Sequence, residues 1–300
     1  MVFADEDQAS EDDESFGLDG LEEYRLLAQI VAGLGAAPTP MSDDPVTLTR
    51  QVNELMGRIQ RAGQLPMAEI GYRVQQELVE AALPMLAQWH AVLAEHPEPA
   101  AKAPLRLTED VVTIDDWLDG LRCASPDADG RTWLELVPSR LQTTAKTPEL
   151  RPEQLIGAWV RSLVAGACGI AAHGVLVGRD ASVSIKPMDP EAARATLAVL
   201  LAGWRVGITR PLPVACRTAL AWLNEKDAAL NYDGNGDFMR AEGEEACLAR
   251  EFPDYEALTA DGQFEVWAEQ LYGPVLHWIA AHVTVESHAA VQARREVAIP

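Results

Sequence analysis

"TIDDWLDGLRCASPDADGRTWLELVPSR", residues 113–140, is the stretch on which the fold turns. It holds two apolar runs separated by the turn-forming "SPDADG" (125–130), and residues 105–121 and 131–141 read as strands on either side of that loop. "RPEQLIGAWVRSLVAGACG" (151–169) follows with the period of a helix that begins near Pro152, with Glu153 in its first turn. Leu155, Ile156, Trp159, Leu163 and Val164 form its apolar face. "GVLVGRDASVSIKP" (174–187) alternates around a Gly-Arg-Asp turn and predicts a β-hairpin. "DPEAARATLAVLLAGWRVG" (189–207) predicts a helix capped by Asp189, with Leu197, Leu200, Leu201 and Trp204 turned inward. Strand, strand, helix, hairpin and helix in that order make an α/β core.

Helices surround it. "LDGLEEYRLLAQIVAGLG" (18–35) spaces Leu18, Leu21, Leu27, Ile30 and Leu34 near one face, and the Pro-rich "GAAPTPMSDDP" (35–45) connects it to a second helix. That helix places Val52, Leu55, Met56 and Ile59 on one stripe, and a third runs from about Pro66 to Leu93 with a kink or break expected at Pro84. After Pro213 the chain is again mostly helical. The divisions expected are an acidic tail at 1–15, a helical subdomain at 16–103, the α/β core at 104–223 and a helical extension of the same domain at 224–300. The tail segment "ADEDQASEDDESF" (4–16) carries seven carboxylates in thirteen residues and is expected to be disordered.

Two acidic patterns invite a metal reading. A nuclease fixes Mg²⁺ on carboxylates and sets a Lys beside the attacking water, with an Asp on one strand and Glu/Asp-x-Lys on the next. Asp119 could be the first ligand and Glu135 the second, but Glu135-Leu136-Val137 puts Val137 where the Lys belongs. Shifted registers fail too: Leu136-Val137-Pro138 has neither group, and Pro138-Ser139-Arg140 has a cation without a carboxylate. In "YDGNGDFMRAEGE" (232–244), Asp233, Asn235, Asp237 and Glu244 match positions of a calcium loop, but Phe238 sits where a sharp turn needs Gly. A solvated acidic turn is the simpler reading.

Composition excludes more than it suggests. Net charge is −22, from 46 acidic and 24 basic residues, and no basic run exceeds Arg294-Arg295, so strong autonomous DNA binding is not expected. Cys123, Cys168, Cys216 and Cys247 form no CxxC pair. The six His offer no HExxH, and His277 and His282 are five apart, on different faces of a helix. GxSxG, GxxxxGK[ST] and GxGxxG are absent. Most Trp residues lie in periodic apolar segments, where packing is the default role. No apolar run spans a bilayer and no basic-then-apolar leader opens the sequence, so a cytoplasmic chain without membrane contact is expected.

The stretch "LVGRDASVSIKPMDPEAARATLAVLLAGWRVGITRPLPVACRTALAWL" (176–223) resembles the C-terminal region of RecC, the gamma subunit of the RecBCD enzyme, exodeoxyribonuclease V. "ESFGLDGLEEYRL", "RAGQLP" (61–66), "WLDGL" (117–121), "PSRL" (138–141), "CLAREFPDYEAL" (247–258) and "LYGPVL" (271–276) extend the resemblance over nearly the whole chain. It implies a degenerate PD-(D/E)xK nuclease-like core without an active site, so that Asp119, Glu135, Val137 and Pro138 are vestigial positions. It further implies two inactive helicase-like domains ahead of this region. The chain is then a fragment, half of a split gene, or a stand-alone relic.

The expected function is a non-catalytic scaffold for double-strand-break processing and recombinational repair. Its partners would be RecB, RecD and the DNA inside the assembled complex. No cofactor, cofactor-binding residue or metal is expected in this chain; ATP and Mg²⁺ would be used by partner subunits. Two alternatives stand beside this: an active metal-dependent nuclease using Asp116, Asp119 and Glu135, and a non-functional truncated RecC.

Overall fold

The computed structural model describes residues 20–35, 45–126, 130–235 and 241–289. The acidic tail lies outside the described residues. Three helices open the fold: α1 (Gly20–Ile30), α2 (Pro45–Arg61) and α3 (Ala68–Glu95). Strands β1 (Glu98–Pro99), β2 (Ala103–Glu109), β3 (Val112–Leu118), β4 (Leu121–Cys123) and β5 (Arg131–Leu136) come next, followed by α4 (Ile156–Ala167). Then come β6 (Ala172–Val177), β7 (Ala181–Ile185), α5 (Pro190–Gly207) and α6 (Cys216–Leu223). The remainder is α7 (Ala228–Asp233), α8 (Ala246–Glu251), α9 (Tyr255–Thr259), α10 (Gln263–Leu271), α11 (Gly273–His282) and β8 (Val283–Ser287). The α/β class expected from the sequence is the class observed.

A six-stranded sheet has the order β1-β4-β5-β6-β7-β8. Every pair in it is antiparallel except β5–β6, which is parallel because α4 carries the chain back across the sheet between them. The pleat sends alternate residues of these strands to opposite faces. Trp133 and Leu176 pack with Trp159 and Leu163 of α4 and Leu197 of α5, whereas Leu134 and Val177 pack with Met85 and Trp89 of α3. The central strands are covered on both faces, which explains their near-continuous apolar sequence. Trp133 is 1% exposed, and a Cβ built on Gly174 of the neighbouring strand would come within 2.1 Å of its ring, so this close approach requires glycine.

Some expectations need correcting. Residues 105–121 do not form one strand: β2 and β3 fold back on each other as a separate hairpin, turning at Asp110, whose φ is 51°. The turn was invisible because Glu-Asp-Val lacks the Gly or Asn that usually supplies a positive φ. The second strand stops at Leu136 rather than 141. Pro84 does not break α3, a helix of 28 residues. The missing amide bond costs about 3 kcal/mol, which burial of Leu78, Ala82, Met85 and Leu86 against two separate cores outweighs. The last quarter contributes more than helices, since β8 pairs with β7 from Ala181↔Ser287 to Ile185↔Val283. Trp204 faces outward, 54% exposed, and Trp117 is 44% exposed. No helix among the described residues is long and apolar enough to cross a membrane.

Candidate functional site

Glu135 lies on β5, at the centre of the sheet, and its carboxylate is already engaged. Arg161, one turn into α4, places Nη1 2.8 Å from Glu135 Oε2. The same guanidinium stands 5.0 Å from the centre of the Trp133 ring. The crossover from β5 through α4 brings together two residues 26 apart in sequence, a pairing that local spacing does not announce. A fixed positive charge beside the carboxylate reduces its attraction for a divalent cation.

The other three positions have their own surroundings. Asp119 is exposed and lies between β3 and β4, just ahead of Gly120, whose φ of +65° turns the chain. Val137 donates its N–H to the Val177 carbonyl (2.9 Å) and packs against the main core, and Pro138 is buried. Asp116 uses Oδ1 to accept from the Trp117 amide (2.8 Å). Among the described residues, no three His, Cys, Asp or Glu side chains form a group that could hold a metal ion. The calcium-loop residues are put to other uses. Asp233 ends α7 and accepts the Tyr255 N–H (2.9 Å), Asn235 is exposed, and Glu244 closes a 3₁₀ turn at Glu242–Glu244; Asp237 and Phe238 lie outside the described residues.

Two further meeting places of distant segments carry clusters of polar side chains. At the first, the Gly178-Arg179-Asp180 turn between β6 and β7 packs on residues 138–141. A Cβ at Gly178 would lie 2.5 Å from Leu141 Cγ and 2.9 Å from the Ser139 carbonyl oxygen, so the contact requires glycine. The Arg179 N–H donates to Ser139 O (2.9 Å), and its guanidinium pairs with Glu23 of α1 (2.7 Å). Asp180 accepts from the amides of Leu141 (2.8 Å) and Gln142 (3.2 Å). His288, just past β8, is 8% exposed; its Nε2 lies 3.3 Å from Ser182 Oγ and its Nδ1 is buried without a hydrogen-bond partner. Burial holds its pKa below the ordinary imidazole value. Asp180 and the carbonyls of Arg179 and Ala181 oppose that shift, although neither carbonyl bonds Nδ1.

The second meeting place is the start of α6. Glu242 reaches across to accept from the amides of Arg217 (2.9 Å) and Thr218 (2.8 Å) and from the Thr218 hydroxyl (2.8 Å). A carboxylate from a distant segment therefore satisfies amides that every helix start leaves open. Cys216 beside it is pushed up to about 12, chiefly by burial and then by Glu242. Tyr272 is raised as well, again mainly by burial and then by Cys216. Tyr232 closes the cluster by donating its hydroxyl to Phe252 O (2.6 Å). Neutral, desolvated thiol and phenol groups are poor nucleophiles, so this cluster packs rather than reacts.

A family model described as the RecC C-terminal domain matches residues 1–227 of the 300. No curated protein matches the chain.

Proposed function

The chain belongs to the RecC C-terminal domain family, and from that membership we propose that it serves RecBCD-type DNA repair as a non-catalytic scaffold. In this reading it docks on RecB- and RecD-type subunits and meets DNA inside the assembly, while ATP and Mg²⁺ are used by those partners. The nuclease-like core is part of the same proposal. It is supported by the parallel β5–α4–β6 step in an otherwise antiparallel sheet, with one acidic residue on its central strand.

The observation that carries the non-catalytic half is the Arg161–Glu135 pair. The carboxylate best placed to bind a cation is neutralised by a guanidinium, and among the described residues no three His, Cys, Asp or Glu side chains come together as a metal site. Mg²⁺ needs several charged oxygens to offset its dehydration. The docking half is supported by apolar surface. The end of α5 and the β2–β3 turn are joined by an Arg205–Asp110 ion pair, and beside it Trp204, Ile208 and Val111 are 54%, 63% and 73% exposed. Apolar groups clustered in this way mark contact surfaces.

Co-expression with RecB- and RecD-type subunits tests the proposal, and co-purification with at least one of them is the expected result. Failure to associate with either overturns the scaffold reading. Linear DNA incubated with the purified chain and Mg²⁺ or Mn²⁺ should stay intact; cleavage abolished by Asp119→Ala would restore the nuclease alternative.

A further inference from the structure

We propose that the cavity where the Gly178-Arg179-Asp180 turn meets the 140–148 loop and the end of β8 is a binding site for a phosphomonoester of about nucleotide size. The cavity measures about 480 Å³, within the range of small-ligand sites, roughly 300–1,000 Å³. Its polar lining is rich in donors: Arg140, Arg179, Thr143 and Thr144. A phosphate monoester presents several acceptor oxygens and, when fully ionised, no donor; guanidinium groups match that pattern best.

The one carboxylate in the lining does not oppose this. Both oxygens of Asp180 accept backbone amides, from Leu141 and Gln142, which holds the group in place and offsets its charge. The Thr143 hydroxyl oxygen accepts from the Glu149 amide (3.0 Å), leaving its own proton to be donated elsewhere. The Arg140 guanidinium has no carboxylate partner among the described residues. His288 also lines the cavity, its Nε2 3.3 Å from the Ser182 hydroxyl oxygen. Pro84 and Pro148 supply apolar wall for the organic part of the ligand. Glu23, paired to Arg179 from α1, sets the limit on affinity, because it competes for one of the two guanidinium groups.

None of this depends on partner subunits. The test is a titration of the full chain alone, so its failure and a failure of co-purification are separate results. The probes are inorganic phosphate, thymidine 5′-monophosphate, thymidine, and an oligothymidylate with or without a 5′-phosphate, at constant ionic strength. Expected are saturable one-to-one binding of the monophosphate and none of thymidine. Arg140→Gln should weaken that binding by about tenfold, the loss of one charge-assisted contact. Glu23→Gln should tighten it several-fold by freeing Arg179. Binding of the phosphorylated oligonucleotide in the same site identifies a strand terminus as the source, and its exclusion identifies a free nucleotide. No saturable binding of any phosphorylated probe to either the unaltered chain or Glu23→Gln overturns the proposal. So does binding that Arg140→Gln leaves unchanged while its melting temperature matches the unaltered chain.

Discussion

His288 shows how one buried ring ties stability to acidity. Its pKa in the folded chain lies below the ordinary 6.5, so the unfolded chain takes up that proton first as the pH falls. Its contribution is therefore present in full above 6.5 and is lost on acidification below it. The melting temperature should fall between about pH 7.5 and pH 5 more steeply in the unaltered chain than in His288→Gln, measured by thermal denaturation. Glu242 makes a different kind of contribution, since three donors depend on one side chain. Glu242→Ala leaves those donors without their partner at the start of α6 and should cost about 2 kcal/mol, read from urea unfolding.

Among the elements, local chemistry was readable and distant chemistry was not. Asp189 caps α5 as its position before Pro190 predicts, accepting from the amides of Glu191 and Ala192. The β6–β7 hairpin falls on the Gly-Arg-Asp turn as its alternation predicts. Both signals are contained within a few residues. Arg161 and Glu135, or Glu242 and Thr218, meet only because the chain returns across 26 and 24 residues, and single residues carry no trace of that. Of the candidate site, the sequence revealed that a Lys was missing after Glu135 but not that an Arg from a helix had taken hold of the carboxylate. Trp204 failed for another reason. Helical period gives the faces of α5 but not what covers them, and its C-terminal end is left open. Trp204→Ala combined with Ile208→Asp should leave the melting temperature within about 1 °C, as surface changes do. The same pair should weaken co-purification with RecB- or RecD-type subunits by about tenfold or more, the scale of a lost interface anchor.

Across the whole molecule, the sheet takes its two outermost strands from distant parts of the chain, β1 from residues 98–99 and β8 from 283–287. The bonds from Lys186 N to His282 O and from His288 N to Asp180 O fix the hydrogen-bonding parity of the β7–β8 ladder. Thr284 and Glu286 then bond inward to Ser184 and Ser182, while the amides of Val283, Val285 and Ser287 point away from β7. Thr284→Pro should destabilise the fold by roughly 1–3 kcal/mol through the lost ladder bond, and Thr284→Val should be tolerated. Both can be compared by chemical denaturation.

The position of β8 also governs the order of events at the ribosome. Synthesis runs from the N-terminal side to the C-terminal side, so β7 is translated about a hundred residues before the strand that will cover its flank. Until then the nascent polypeptide displays a bare β7 margin, open to annealing with any neighbouring extended segment. Chaperone demand should therefore rise once β7 emerges and subside when Val283–Ser287 clears the exit tunnel.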